Sequence, residues 1–149
     1  MAGLFFEQFA VGMEFNHALT RTVTEMDNIL FSALTHNPQP LHLDEEFAKQ
    51  TEFGQRLVNS LFTLGLVIGI SVGDTTLGTT IANLGMTDVR FAHPVFHGDT
   101  IRVMTRVKEL RDSKSRPNAG LVVFEHIGHN QRSQEVCYCV RTAFMRKQA

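Results

Sequence analysis

The chain has 149 residues, 43% of them hydrophobic, and a formal net charge of −1 from 14 Lys and Arg against 15 Asp and Glu. This length accommodates one domain with a substantial core. The near-neutral charge argues against nucleic acid or an anionic membrane as the main partner, so we expect a small molecule or another protein. Residues 1–15 lack the charged and long apolar regions of a secretory signal, which predicts a cytoplasmic protein.

The first predicted elements are a strand near residues 13–22 and an amphipathic helix over Thr24–Thr35. Thr24 is typical of a helix N-cap, with Asp27 at the third helical position. Apolar residues then recur at helical spacing, at Met26, Ile29, Leu30, Ala33 and Leu34.

A loop rich in histidine, amide and proline residues follows this helix, over residues 35–44. Pro38 and Pro40 fix their own φ angles and disfavour helix in the preceding residue, which predicts an extended, well-ordered loop. Such a loop holds His42 in place, and an imidazole serves as acid or base near neutral pH. His42 is therefore the first candidate for proton transfer; the alternative is a surface loop whose histidines have no role.

The most apolar segment is a long helix, predicted to begin near Asn59 and Ser60 and to end at Gly73. It follows a predicted helical turn over Glu45–Gln50 and a connection over Thr51–Gln55. Apolar residues occupy all of its faces between positions 61 and 70, which predicts a helix covered on every side by other structure. Its apolar stretch is shorter than the roughly 20 residues of a membrane span.

From residue 79 onward the hydrophobic period changes to two, which predicts antiparallel strands. Residues 111–119 are polar and predict a solvated connection, and Gln131–Gln134 predicts a hairpin turn. The predicted strands are 80–91, interrupted by Gly85, then 101–108, 120–130 and 135–146.

The order of these elements predicts an α+β fold in one domain over residues 1–149, with a curved antiparallel sheet around the long buried helix. A second subunit would complete the cover of that helix, so we expect a homodimer or a higher oligomer of dimers. Cys137 and Cys139 alternate along the last strand and are expected to be reduced thiols.

Three blocks of the sequence resemble the MaoC-like or (R)-specific enoyl-CoA hydratase family, whose members have the hot-dog fold, over nearly the whole chain. The first block, Asn37–Asp44, aligns with the family motif Asp-x-Asn-Pro-x-His. The second is Leu57–Leu61, at the start of the long helix. The third is Arg90–Thr100, which resembles the strand-turn-strand signature of the family.

The resemblance implies reversible addition of water across the 2,3 double bond of an acyl-CoA thioester, without a metal or an organic cofactor. Carried over by position, His42 is the catalytic histidine, Asn37 occupies the place of the family Asp, and Ser60 lies where a backbone N–H binds the thioester oxygen. The partial positive charge of the helix N-terminus supports that last role. The expected substrate-binding residues are Ser60, Asn59, Leu61 and Arg90.

Asn37 departs from the family pattern, because an amide cannot exchange a proton as a carboxylate does. Asn37 can still orient the water. Either His42 acts as both base and acid in a syn addition, which is our hypothesis, or another carboxylate supplies the second group, with Asp44 nearest in sequence. The pattern Asn-x-Gln-Pro-Leu-His also resembles the branch of the family acting on branched or dicarboxylic C5 enoyl-CoAs, such as mesaconyl-, itaconyl- or methylmalyl-type esters.

Several candidate residues also have ordinary structural explanations. Asn59 and Ser60 fit a helix N-cap, Arg90 fits a surface salt bridge, and Asp99 fits the turn it shares with Gly98. The remaining histidines, His36, His93 and His97, are weaker candidates, and metal binding lacks acidic or cysteine partners at ligand spacing.

Two other functions are compatible with a hot-dog fold. A thioesterase usually needs a carboxylate on or near the buried helix, and residues 59–73 contain none. A non-catalytic acyl-CoA-binding or protein-binding module is the second alternative, in which Asn37 marks a lost reaction.

Overall fold

One six-stranded antiparallel sheet forms the framework of the computed structural model, which describes residues 3–149. Met1 and Ala2, part of the predicted domain, lie outside the described residues. The strand order is β1-β4-β5-β6-β3, and β2 pairs with the end of β4. The strands are β1 (Glu14–Asn16), β2 (Arg21–Thr22), β3 (Thr80–Arg90), β4 (Thr100–Asp112), β5 (Ala119–His129) and β6 (Glu135–Arg146).

Four α-helical segments lie between β2 and β3, and the last of them packs on the sheet. They are α1 (Glu25–Leu34), α2 (Pro40–Leu43), α3 (Glu45–Lys49) and α4 (Ser60–Thr75). Val67 and Ile70 of α4 belong to the main core cluster. A side chain at Gly128 of β5 would lie 2.6 Å from Val67 Cγ2, so glycine is needed for this close approach. In the described part of the chain, no helix has the length and apolar character required to cross a membrane.

The predicted strands of the C-terminal half are confirmed to within one residue at each end, except that β4 continues to Asp112, past the predicted end at residue 108 and into the predicted connection over 111–119. The hairpin between β5 and β6 forms at the predicted turn, and the register of β3 against β6 shifts between Asn83 and Gly85, at the predicted interruption. The single N-terminal strand predicted over residues 13–22 is instead two short strands, which pair with different parts of β4. The two cysteines are free and buried on β6, as predicted.

Helix α1 begins at the predicted residue, but its polar face is buried and its apolar face is exposed, the reverse of the expected orientation. Thr24 caps it, since its Oγ1 accepts the Asp27 amide hydrogen over 3.3 Å. Asn28 and Ser32 are completely buried, whereas the apolar side chains of the amphipathic pattern point outward, Met26 being 70% exposed and Leu34 71% exposed. The inward face is polar because it lies against backbone groups of the following loops, which need hydrogen-bond partners.

The prediction of an extended loop up to His42 is wrong at its end. Pro40 is the first residue of α2, a single helical turn that contains His42. Proline suits that position because its φ angle is already helical and its missing N–H has no partner to lose.

The prediction that α4 is covered on every side is also wrong for a single chain. Leu61 is 57% exposed, and Gly65 and Gly69 also lie on an exposed face. The sheet packs against one side of the helix, and Phe31 of α1 packs on Phe62 of α4. The helix also extends two residues past the predicted end, to Thr75.

A chain of polar side chains, buried except for Asp74 at its end, connects the far end of α4 to the sheet. Arg141 donates from Nε to His126 Nε2 over 3.0 Å, so His126 carries its proton on Nδ1 and donates it to Thr105 Oγ1 over 2.9 Å. The Thr105 hydroxyl then donates to His17 Nε2, and His17 Nδ1 donates to Asp74 Oδ2 over 2.7 Å. The guanidinium thus fixes the tautomers of both histidines.

Candidate active site

His42 lies on α2 with its ring held in one orientation. Its Nδ1 is 2.7 Å from the backbone oxygen of Leu57, and the side chain is almost completely buried. Because a carbonyl oxygen only accepts, Nδ1 carries the proton of the neutral ring, and Nε2 keeps an unshared electron pair. The backbone amide of Leu57 returns a bond to the carbonyl of Leu41 over 3.1 Å. The helical turn of His42 is therefore fastened to the segment that leads into α4.

The first turn of α4 has one backbone amide available for a ligand. The Asn59 side chain accepts from the Leu61 amide over 3.1 Å, and the Asn59 carbonyl accepts from the amides of Phe62 and Thr63. The Ser60 amide has no acceptor within residues 3–149. Ser60 is exposed, so this N–H, with the helix dipole behind it, can bind a developing negative charge.

Asn28 of α1 joins the His42 segment to the start of α4. Its Oδ1 accepts the backbone amide hydrogen of Asn59 over 2.9 Å. Its Nδ2 lies 3.0 Å from the Leu57 carbonyl oxygen and 3.3 Å from that of His42. The Leu57 oxygen therefore receives bonds from both Asn28 and the His42 ring. One fully buried amide holds both parts of the candidate site.

His97 completes the hydrogen bonding of Asn28 and is kept neutral. Its Nε2 lies 3.0 Å from Asn28 Nδ2, which can only donate, so the His97 proton is on Nδ1. Burial, followed by the positive charge of Arg56, lowers the pKa of His97. Arg56 is itself held by Glu25 of α1 and Glu45 of α3, at 2.8 and 2.6 Å. These ion pairs fix the helices around the candidate site.

Asn37 and the other polar residues of the loop have mainly structural contacts. Asn37 is half-buried, and its Oδ1 accepts the Gln39 amide hydrogen over 3.0 Å, closing a turn. Asp44 caps α3 through the Phe47 amide over 3.0 Å. His36 is exposed and has a φ of 55°, at the end of α1. Asp44 therefore has a structural role that does not involve the His42 ring.

A cavity of about 190 Å³ opens beside the start of α4. Its wall contains Leu57, which binds the His42 ring, and Ser60, whose amide is available. Thr63 and His93 contribute the other polar side chains. The complete lining is Phe53, Leu57, Val58, Ser60, Thr63, Phe91, Ala92, His93, Pro94, Val95 and Val136.

The predicted site residues are only partly brought together. Asn59 and Ser60 form the start of α4, and His42 is attached to it through Leu57. Leu61 points outward at the same helix end. Arg90 does not line the cavity: its Nε is 3.3 Å from Glu135, and its guanidinium lies 3.7 Å above the ring of Tyr138.

Sequence reasoning did not identify Asn28, Thr63 or the carbonyl of Leu57 as parts of the site. Asn28 and Ser32 are four residues apart, so they form a polar stripe on one side of α1. That stripe could have pointed to Asn28, because two short polar residues on one helix face indicate contact with a polar surface. A backbone carbonyl leaves no comparable signal in a sequence.

The chain is similar in sequence and fold to several known proteins. The model of the MaoC-like domain matches residues 6–130. Mesaconyl-CoA hydratase from Cereibacter sphaeroides is 35% identical over 146 residues, which are 98% of this chain and 42% of that protein. Beta-methylmalyl-CoA dehydratase from Chloroflexus aurantiacus is 34% identical, over 97% of this chain and 41% of that protein. The chain thus spans less than half the length of either relative.

A solved structure matches the chain over its whole length. The monoamine oxidase regulatory protein from Archaeoglobus fulgidus superposes with a TM-score of 0.88 at 34% sequence identity. The match covers 100% of this chain and 98% of that one. Its strands and helices therefore correspond to those described above.

Proposed function

The chain belongs to the MaoC-like domain family and has a hot-dog fold, and from this premise we propose that it is an acyl-CoA hydro-lyase. The reaction is reversible hydration of a trans-2-enoyl-CoA to a 3-hydroxyacyl-CoA. One observation carries the proposal. The His42 Nδ1–H bond to the Leu57 carbonyl leaves Nε2 of His42 as a base, and the segment that contains Leu57 leads directly to the available amide of Ser60.

The first step of the proposed reaction uses His42 and Ser60 together. Nε2 of His42 takes a proton from water as the water oxygen attacks C3 of the enoyl group. The electrons of the double bond move onto the thioester oxygen, which becomes an enolate oxygen. The Ser60 N–H donates to that oxygen, and the α4 dipole favours its negative charge.

The second step returns the same proton. The imidazolium of His42 donates from Nε2 to C2, the enolate collapses to the thioester, and the ring is neutral again. Water has then been added to one face of the double bond. We favour this single-group scheme because Asp44 is occupied in capping α3, while Asn37 has no proton to exchange and is proposed to orient the water through Nδ2.

The proposed substrate carries a short acyl chain. Ligand cavities for drug-sized molecules have volumes of about 300–1,000 Å³, whereas the cavity here holds about 190 Å³. The two relatives described above are named for mesaconyl-CoA and beta-methylmalyl-CoA. A branched or dicarboxylic C5 enoyl-CoA is therefore the proposed substrate, with Leu61 and Arg90 proposed to contact the CoA portion near the cavity.

We also propose that the protein is a homodimer. Residues 83–90 of β3, at one edge of the sheet, are exposed, and an unpaired strand edge of this kind invites pairing with another strand. The outward faces of α1 and α4 are apolar and exposed at Leu30 and Leu61. Sedimentation equilibrium should give twice the chain mass, and Leu61→Glu should shift the protein toward the monomer; a monomeric wild type contradicts the proposal.

The proposed activity is tested with a panel of crotonyl-, mesaconyl- and itaconyl-CoA. Hydration removes the ultraviolet absorbance of the enoyl thioester and leaves the thioester bond intact, so absorbance should fall without release of free thiol. Release of free CoA would instead establish a thioesterase. Binding without either change would establish an acyl-CoA-binding module.

A further inference from the structure

His97 lies in a turn before β4 that is fastened to the segment preceding α1. Gly98, the next residue, has a φ of 94°, which favours glycine. The Gly98 amide donates to the Val23 carbonyl, and the Val23 amide donates to the Asp99 carbonyl, both over 2.8 Å. The half-buried ring of His97 places Nε2 3.0 Å from Nδ2 of Asn28. The turn thus fixes this ring against the amide that joins the two parts of the candidate site.

His97 is the neighbour of Asn28 that can change its hydrogen-bonding role. The other partners of the Asn28 side chain within residues 3–149 are backbone groups. The Asn59 N–H only donates, and the carbonyls of Leu57 and His42 only accept. An imidazole accepts at Nε2 when it is neutral and donates there when it is protonated. The observed orientation of the amide is therefore compatible with the neutral His97 ring alone.

A second proton on His97 opposes this arrangement. The new Nε2–H would point at the N–H of Asn28, where two donors face each other. If the amide rotated to accept from His97, its oxygen would face the two backbone carbonyls and its nitrogen would face the Asn59 N–H. These backbone groups would lose their partners beside a completely buried side chain, where an unpaired polar group is costly. Protonation of the ring is therefore incompatible with the contacts that Asn28 makes.

We infer that His97 is a positioning residue, whose neutral form holds the candidate site in its working arrangement and whose protonation releases it. The inference rests on the proposed function and adds a control by pH to it. The Leu57 carbonyl also accepts from the His42 ring. Asn59 caps α4 directly before Ser60. Rotation of the amide between these segments would therefore misplace the proposed base and the proposed oxyanion donor together.

The surroundings of His97 keep its ring neutral near pH 7. Burial is the main cause of its lowered pKa, and the positive charge of Arg56 acts in the same direction. Nearby carboxylates oppose this effect, but each of them is already paired with an arginine. The titratable groups of the surrounding elements are Glu25 and Asp27 on α1, His42 on α2, Glu45 on α3, Arg56 before α4 and Asp99 in the same turn. The ring therefore binds its second proton below its ordinary pKa, so the site is intact at neutral pH and released on acidification.

Nuclear magnetic resonance tests the rotation of the amide without any substrate. The His97 ring, the Asn28 side-chain amide and the Asn59 backbone amide are followed from neutral pH to the lowest pH at which the fold is intact. Both amides should shift with the same midpoint as the ring, below about pH 6.5. In His97→Gln both should stay constant, because glutamine can accept from Asn28 and does not titrate. A ring that stays neutral throughout this range, or that titrates without a shift of the Asn59 amide, overturns the inference.

Arg56→Gln tests whether the ring and the amide are coupled. Removal of the positive charge leaves the opposing carboxylates in place, so the midpoint of the His97 titration should move to higher pH. The midpoint of the Asn59 amide should move by the same amount. If the ring midpoint moves and the amide midpoint does not, the amide responds to another group and the inference is overturned.

The pH dependence of hydration connects the amide to the proposed reaction. Protonation of His42 alone lowers kcat/KM by about tenfold per pH unit, and protonation of His97 should lower it by at least about a further tenfold. His97→Gln should keep the neutral-pH rate within about threefold and lose this additional fall. His129→Gln, at a half-buried position near the end of β5, is the matched control and should keep the wild-type profile.

Two outcomes of the kinetic experiment separate this inference from the proposed function. Equal acid limbs in the wild type and in His97→Gln, with hydration present in both, overturn the positioning role of His97 and leave the hydratase activity standing. If the wild type hydrates no enoyl-CoA at any pH, the proposed function fails, and the titration of the Asn59 amide still decides whether His97 controls the orientation of Asn28.

Discussion

The side-chain oxygen of Asn28 accepts a hydrogen bond from the backbone amide of Asn59 over 2.9 Å. Through this contact, the inner face of α1 fixes the residue that caps α4. The nitrogen of the same side chain faces the carbonyl oxygens of Leu57 and His42. The proposed base and the proposed oxyanion donor are therefore positioned by one amide that touches neither reacting atom.

Asn28→Asp should damage the site although it preserves the shape of the side chain. A carboxylate cannot donate, so it would leave the Leu57 and His42 carbonyls facing a negative oxygen in a buried position. We expect a loss of about 1–3 kcal/mol in the free energy of unfolding and a fall in kcat of tenfold or more. Urea unfolding and steady-state kinetics measure these two quantities.

Ser32→Ala provides the matched control for Asn28→Asp. Ser32 is equally buried on the same face of α1, and its Oγ accepts from the Asn59 side chain over 3.3 Å, without contact to Leu57 or His42. Its kcat should stay within about threefold of the wild type, since a weak neutral hydrogen bond is removed. Equal losses of kcat in both variants would assign Asn28 a general role in folding rather than in positioning the site.

Asn37→Asp should fold normally and change turnover little. The aspartate oxygen can accept the Gln39 amide hydrogen as the asparagine oxygen does, so the turn is preserved. Because His42 is proposed to transfer the proton in both steps, and the second aspartate oxygen can orient the water as an acceptor in place of Nδ2, kcat should stay within about threefold of the wild type. A gain of a hundredfold or more would show that a carboxylate at this position is needed and that the natural chain lacks it.

His126 predicts a loss of stability on acidification. Burial lowers the pKa of His126 to about 3, and the nearby Arg141 acts in the same direction. The unfolded chain binds a proton at this ring near pH 6.5, whereas the folded chain does so only near pH 3. Between these values the unfolded state binds more protons than the folded state. The free energy of unfolding should therefore decrease as the pH is lowered from 6.5, by up to about 1.4 kcal/mol per pH unit from this group.

Denaturant unfolding between pH 7.5 and pH 4 checks this slope in the wild type and in His126→Gln. Glutamine can accept a hydrogen bond from Arg141 and donate one to Thr105, but it does not titrate. The free energy of unfolding of His126→Gln should therefore change less steeply with pH below pH 6.5 than that of the wild type. His129→Gln, at a less buried position near the end of β5, serves as the control and should keep the wild-type slope. Parallel curves for the wild type and His126→Gln would refute the assignment.

Cys137 should be inert in the folded protein. Burial raises the pKa of its thiol to about 12 and also raises the pKa of Cys139. Since the thiolate is the reactive form, iodoacetamide at pH 8 should label neither cysteine in the native state and both in denaturant. Labelling of the native protein, measured by mass spectrometry, would show that β6 opens readily.

Local signals in the sequence predicted the elements well. Thr24 with Asp27 located the start of α1, Asn59 located the start of α4, and the two-residue period located the long strands, because each of these depends on neighbouring residues. The orientation of α1 could not be predicted, since Met26 and Leu34 form an apolar face whether or not another chain covers it.

The candidate site was predicted less completely than the elements. His42 was identified by its residue type and its setting between prolines, and Ser60 by its position at a helix start. The roles of Asn28 and Leu57 depend on contacts between segments 14 to 31 residues apart, which a local pattern does not encode. The polar stripe of Asn28 and Ser32 indicated a contact without identifying the partner.

The absorbance of mesaconyl-CoA and crotonyl-CoA, followed with wild-type protein, His42→Ala and His36→Ala, tests the central claim most directly. His36 is an exposed histidine at the end of α1, so it controls for the loss of an imidazole from the same region. The wild type and His36→Ala should consume the enoyl thioester without releasing free thiol, and His42→Ala should be slower by at least a hundredfold, the smallest contribution typical of a general acid–base group. Hydration at the wild-type rate by His42→Ala would contradict the account.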